Sequence, residues 1–221
     1  MLTDAALVLL GYLIGSIPMA YAVGRVSRKI DIRRFGSGNA GASNVWVQVG
    51  KGIGLAVFAF DMLVKGSIPA YVAWEFGTDP WVAVAAGLAA VAGHNWSVYL
   101  GLTGGRGITV TIGVLLVLAW PELLAAVLIA SVGWLVTRSS ALWVGLALLL
   151  TPAWSVALGS PPHVTGLCTG LVLLAAAKRM LSNGEQLPEG EPWHRALFHR
   201  LLFDRDAGSR EDWVFRRPPE V

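Results

Sequence analysis

Two short stretches carry the residue types that handle anions. Gly36, Ser37, Gly38, Asn39, Gly41, Ser43 and Asn44 fall within nine residues, directly after a basic run from Arg25 to Arg34. Thr103, Gly104, Gly105, Arg106 and Gly107 form a second cluster further along. Loops this rich in glycine bring backbone N–H groups, hydroxyls and amides close to a phosphate or acyl phosphate. Arg33 and Arg34 beside the first loop, and Arg106 within the second, offer planar forks that pair well with phosphate oxygens. The second loop opens an apolar segment, and a helix N-terminus favours an anion. The same composition also makes turn-rich connectors whose Ser and Asn cap helices, so each loop taken alone leaves both readings open.

Three further positions could take part. His94, in Gly93-His-Asn-Trp-Ser97, is a general base, a phosphate ligand or an interfacial structural group. Asp61 and Lys65 lie four apart in an apolar run, where they share a helix face and can pair. Pairing makes Asp61 a structural brace and leaves Lys65 open between brace and substrate contact. Arg138 is either a phosphate contact or a topology anchor. The remaining histidines, His163, His194 and His199, have no metal-ligand spacing, and the single cysteine, Cys168, lies in an apolar run. No metal, cofactor or internal disulfide is expected.

The elements that position these residues are apolar. Of 221 residues, 55% are hydrophobic and 14% charged, against about 25% charged in a soluble domain. Eight of the 14 acidic residues lie after position 181. The pattern predicts an all-α, polytopic membrane bundle over 1–181 and a hydrophilic tail over 182–221. About seven spans are expected, near 3–23, 52–76, 79–98, 106–120, 121–137, 140–158 and 163–181. The first is read as a retained span and not a signal peptide.

Lys and Arg fall in alternate links: Arg25 to Lys51, then Arg106, Arg138, and Lys178 with Arg179. The links Gly77–Pro80, Trp120–Glu122 and Gly159–Pro162 carry none. The positive-inside rule therefore places the N-terminus outside, and both glycine loops and the tail in the cytoplasm. Shared sidedness makes the two loops candidates for one site on a phosphorylated substrate. Within the tail, Trp193–Phe203 reads as an amphipathic helix facing either lipid or the protein's own cytoplasmic face. The formal charge of +3, concentrated in membrane-flanking loops, speaks against nucleic acid binding.

Three segments together resemble the bacterial acyl-phosphate–glycerol-3-phosphate acyltransferases. They are Gly11–Pro18, Asp31–Val45 and Gly93–Gly107, in the family's order and spacing. The resemblance covers roughly residues 5–145. It implies seven spans in the plasma (inner) membrane of a bacterium, an outside N-terminus and a site facing the cytoplasm. The implied reaction moves a fatty acyl group from acyl phosphate to the 1-hydroxyl of glycerol 3-phosphate, giving lysophosphatidate for phospholipid synthesis, without coenzyme A, metal or acyl-enzyme. Ser37, His94 and Arg106 are then the expected catalytic residues. Gly36, Gly38, Asn39, Gly41, Asn44, Gly104, Gly105, Gly107, Lys65 and Arg138 are the expected substrate and phosphate contacts.

The chain departs from the family's pattern at several places. Arg106 stands where lysine is usual, Val47 where arginine is usual, and Ala141 where serine is usual. Leu171–Glu185 contains Lys178, Arg179, Asn183, Gly184 and Glu185 but no histidine. Asp61 to Lys65 is one residue longer than the usual spacing. These departures motivate a second reading, a non-catalytic relative that binds a phosphorylated lipid or regulates a partner protein. A third, a transporter of small organic phosphates, is weakened by the lack of paired interrupted helices in two matching halves.

Overall fold

Proline, small residues and one widened helical turn shape the bundle. The computed structural model describes residues 1–181 and 192–204. The first apolar run is two helices, α1 (Leu2–Ser16) and α2 (Met19–Arg28), broken at Pro18. A 3-10 turn, Ile32–Arg34, leads into the first glycine loop, and α3 (Ala42–Gln48) follows. The second apolar run is one rod, α4 (Lys51–Ala59), a π-helical stretch (Phe60–Ser67) and α5 (Ile68–Phe76). Then come α6 (Pro80–Asn95), capped by the Asp79 carboxylate on the Trp81 N–H, and α7 (Ile108–Leu118). Helices α8 (Trp120–Thr137), α9 (Ser140–Ala157), α10 (Pro162–Leu181) and α11 (Trp193–Phe203) complete the order. Among the described residues there is no strand, only a single antiparallel bridge between Ser97 and Thr103.

Each of the seven expected apolar runs is helical. Five helical segments, the first of them broken at Pro18, are long and apolar enough to cross a membrane: Leu2–Arg28, Lys51–Phe76, Trp120–Thr137, Ser140–Ala157 and Pro162–Leu181. Helices α6, with 16 residues, and α7, with 11, are shorter. Large apolar side chains such as Leu9, Leu55, Leu128, Val136 and Leu173 face outward, as lipid-facing positions do.

Without a hydrophobic drive between helices in lipid, close packing depends on small residues. Helix α1 lies against α6 where Gly11 meets the Ala86 backbone, Gly15 meets Ala90, and Gly93 meets the Tyr12 carbonyl. Two hydrogen bonds lock the glycine-loop end of this pair: the Tyr12 hydroxyl donates to the Trp96 carbonyl (2.7 Å), and the Ser97 hydroxyl to the Ser16 carbonyl (2.6 Å). Gly66 and Gly113 play the same part between the π-helical stretch and α7. The main core gathers Val91, Val110, Val114, Leu115, Leu167 and Leu171. A separate cluster, with Ala20, Ile32, Val45, Val49 and Val57, lies under the first glycine loop and gives it a solid floor.

Candidate active site

The first loop is built to turn sharply and then held. Gly36 (φ 54°) and Gly38 (φ 70°) adopt left-handed backbone that a side chain disfavours. The Asn44 amide donates to three carbonyls, those of Ile32 (3.1 Å), Phe35 (2.9 Å) and Asn39 (3.1 Å). Asn44 thus braces the loop from inside. The Ser37 hydroxyl accepts from the Asn39 N–H (3.4 Å) and is half-buried, while Ser43 faces solvent and Gly41 has open space around it.

Arg33 joins the first loop to the second. Its guanidinium grips Asp31 with two contacts (Nε–Oδ1 3.0 Å, Nη2–Oδ2 2.8 Å) and lies over the Tyr21 ring. It also donates to the Thr103 hydroxyl (3.0 Å) and the Leu100 carbonyl (3.4 Å). The Arg33 hydrogen bonds hold the Asp31 carboxyl below the usual carboxylate range. A second link runs from the Ala40 N–H to the Gly104 carbonyl (3.4 Å). Arg34 is exposed.

The second loop is wrapped around His94 and Asn95. The Gly105 N–H donates to the His94 carbonyl (3.1 Å). A Cβ on Gly104 would strike that carbonyl, and one on Gly105 would strike His94 Nε2. Gly107 (φ 74°) forms the N-cap of α7, with Asn95 Oδ1 2.6 Å from where its Cβ would lie. Glycine is therefore required by close approach as well as by backbone shape.

On its other side His94 meets Lys65. Lys65 Nζ is 2.8 Å from His94 Nδ1 and 3.2 Å from Asp61 Oδ1, and all three side chains are buried. Beside the Asp61 carboxylate Lys65 pairs best as an ammonium, which has no acceptor lone pair. His94 Nδ1 must then accept. In the neutral ring, the remaining proton sits on Nε2, facing Gly105. In that state the His94 ring donates toward the glycine loop. The π-helical stretch that carries Asp61 and Lys65 has a wider turn than an α-helix. It absorbs the extra residue between them and still delivers Lys65 to His94.

Arg106 and the end of α10 form the third wall. Arg106 Nη1 donates to the Lys178 carbonyl (3.1 Å), and Arg106 Nε pairs with Asp204 Oδ1 (2.9 Å). Lys178, 1% exposed, donates to the Asn95 carbonyl and lies 5.4 Å from the Trp96 ring centre. The sequence marks Lys178 as a sidedness charge within Leu171–Glu185 and gives Asn95 no role of its own. Arg138 lies elsewhere, exposed over Trp134 of its own helix. Val47 is exposed too. Asn183, Gly184 and Glu185 lie outside the described residues.

Beside Arg179 a cavity of about 190 Å³ opens between α7, α9, α10 and α11. Ile108, Leu142, Leu146, Leu149 and Val172 line it, with Leu201 and Leu202 at one side. It begins next to the residue that follows Gly107, so an apolar space adjoins the polar loops.

Five membrane-length apolar helices, two glycine loops joined by hydrogen bonds and a buried Asp61–Lys65–His94 cluster beside them define a polytopic helical membrane protein with a polar loop site. Comparison with known proteins makes this specific. The chain belongs to the glycerol-3-phosphate acyltransferase family, which it matches over residues 5–187. It is 39% identical over 211 residues to glycerol-3-phosphate acyltransferase 4 of Dehalococcoides mccartyi (strain CBDB1), covering 93% of this chain and 90% of that protein. It is 48% identical over 125 residues to a glycerol-3-phosphate acyltransferase of Synechococcus sp. (strain CC9902), covering 57% of this chain and 62% of that one. Among solved structures it resembles PlsY (YgiH), an integral membrane glycerol 3-phosphate acyltransferase, in its glycerol 3-phosphate form. The TM-score is 0.76 and the identity 30%, over 94% of this chain and 96% of that one. The lysophosphatidic acid form of PlsY matches with a TM-score of 0.73.

Proposed function

We propose that this protein transfers a fatty acyl group from acyl phosphate to the 1-hydroxyl of glycerol 3-phosphate, at the cytoplasmic face of a bacterial inner membrane. The observation that carries the reading is the seam between the two loops. Ala40 bonds to Gly104, Gly105 bonds to His94, and Lys65 fixes His94 from behind. In this reading the two joined loops bring backbone amides, the Ser37 hydroxyl, the His94 ring and the Arg106 guanidinium to one site. Each is suited to an anionic substrate or to negative charge developing on an acyl oxygen.

The hydroxyl oxygen of glycerol 3-phosphate attacks the acyl carbonyl carbon. The new ester C–O bond forms, the bond from that carbon to the phosphate oxygen breaks, and the electron pair leaves with phosphate. The hydroxyl proton ends on a phosphate oxygen. His94 is set as a donor, so the base in this scheme is the substrate's own phosphate. Acyl phosphate is an activated donor, and much of the acceleration comes from holding the two substrates together. Ser37 and the loop amides orient the donor, and Arg106 offsets its charge. The apolar cavity beside Arg179 receives part of the acyl chain.

Seven crossings, with the N-terminus outside, complete the reading. Helices α6 and α7 supply the two crossings beyond the five long ones, and the alternating loop charges set the direction. Sealed vesicles of known orientation test this. Lysophosphatidate should form only when glycerol 3-phosphate is supplied on the cytoplasmic side. Equal product from either side would overturn the sidedness.

A further inference from the structure

The tail helix α11 carries residues that touch the site from outside the span matched by the family. It is fixed to the bundle at several points. Ala196 and Arg200 face inward and are buried. Arg200 Nη1 donates to the Met180 carbonyl (3.3 Å). From the bundle side, Arg179 donates to the Leu201 carbonyl with Nη1 and to the Ala141 carbonyl with Nη2 (2.9 Å). Arg179 itself lies against Gly145 of α9, where a side chain would collide with its guanidinium. Immediately past α11, Asp204 turns into left-handed backbone (φ 53°), its N–H bonded to the Arg200 carbonyl (3.0 Å). That turn aims the carboxylate at Arg106, and the two form a 2.9 Å ion pair.

We infer that Asp204 is a positioning residue for Arg106, supplied by the tail helix to orient the site's arginine. The inference rests on the assignment of Arg106 to the substrate site. Lysine and arginine differ in what they need at such a place. A lysine ammonium is a point charge on a flexible stem and turns to meet an anion from any side. A guanidinium presents its donors in one plane, so it works only when that plane is set. Here the guanidinium is held by a hydrogen bond from Nη1 to the Lys178 carbonyl and by the charge of the Asp204 carboxylate, 2.9 Å from Nε but outside hydrogen-bond geometry. Asp204 also offsets positive charge where Arg106, Lys178 and Arg179 crowd together. Arg106 is thus matched by a carboxylate from beyond residue 187, where the family match ends.

The test is a double-mutant cycle on the full chain in lipid. Turnover is measured with a long-chain acyl phosphate and varied glycerol 3-phosphate. Asp204→Ala is expected to lower kcat/KM about tenfold, as loss of a partner to a charged group does. Asp204→Glu should recover part of the loss. In an Arg106→Lys background, Asp204→Ala should change kcat/KM less than about twofold, because a lysine needs no such orientation. Asp204→Asn, which keeps the shape, stands in should the alanine variant fail to fold. Equal losses in both backgrounds would make Asp204 merely structural and overturn the inference. Unchanged or increased activity in Asp204→Ala would overturn it too, the increase by showing that the carboxylate competes with substrate for Arg106. If Arg106→Ala itself leaves turnover intact, the site assignment fails first and the inference falls with it.

Discussion

Lys65 Nζ lies 2.8 Å from His94 Nδ1, deep in the bundle and 29 residues away in sequence. This contact decides what His94 can do. An ammonium on Nδ1 leaves Nε2 as the protonated nitrogen, so the ring donates to the glycine loop. His94→Gln, which can still donate, should retain at least about tenfold more turnover than His94→Ala. Its pH profile should keep the wild-type shape. A histidine-like limb in the wild-type profile that vanishes in His94→Gln would make His94 a base instead.

Asp61 and Lys65 are both buried, so removing one strands the other. Lys65→Met should destabilise the protein by about 3 kcal/mol. Asp61→Asn combined with Lys65→Met should recover much of that. Thermal unfolding in detergent reads both. Equal instability in the double variant would contradict the pairing.

Gly105 has no room for a methyl group beside His94 Nε2. Gly105→Ala should therefore lower kcat/KM at least about tenfold while the protein still folds. Gly52→Ala, at an open position on α4, should leave turnover unchanged. Similar rates in the two variants would show that the His94–Gly105 approach is unimportant.

Asn44 serves three carbonyls with one amide. Asn44→Ala should cost about 2 kcal/mol and raise the KM for substrate by loosening the first loop. Hydrogen exchange at residues 36–40 should speed up. Unchanged exchange would mean that the floor of apolar residues holds the loop without Asn44.

The Asp31–Arg33 clasp predicts an acid-sensitive loop junction. Asp31 has a lowered pKa in the folded protein, chiefly from its hydrogen bonds to Arg33. The stability it contributes is therefore fully present above about pH 4, the ordinary aspartate range, and is lost as pH falls through the lowered folded value. Asp31→Asn should be less stable than wild type at pH 7, and the gap should narrow below pH 4. A gap that is constant with pH would contradict the clasp.

The sequence made the apolar runs, the paired loops and the amphipathic stretch Trp193–Phe203 legible, because each is a local pattern. Hydropathy marks the runs, glycine marks the turns, and helical periodicity marks α11. Contacts across long separations were not legible. Asn44 reads as a substrate contact from its neighbours, yet its amide is spent on the carbonyls of its own loop, which only the chain reversal brings within reach. Lys178 reads as a sidedness charge, yet it reaches the Asn95 carbonyl 83 residues away. The odd spacing from Asp61 to Lys65 looks like a defect until the π-helical turn is seen to absorb it. The partnership of Arg106 with Asp204 depends on how α11 docks, which periodicity does not encode.

The most direct test is steady-state turnover of the purified protein in lipid, with acyl phosphate and glycerol 3-phosphate, beside Ser37→Ala and Arg106→Ala. Wild type should form lysophosphatidate and phosphate in equal amounts, and both variants should lose at least about a hundredfold in kcat/KM. A folded wild type that makes no product, or variants that match it, would contradict the assignment of acyl transfer to the joined glycine loops.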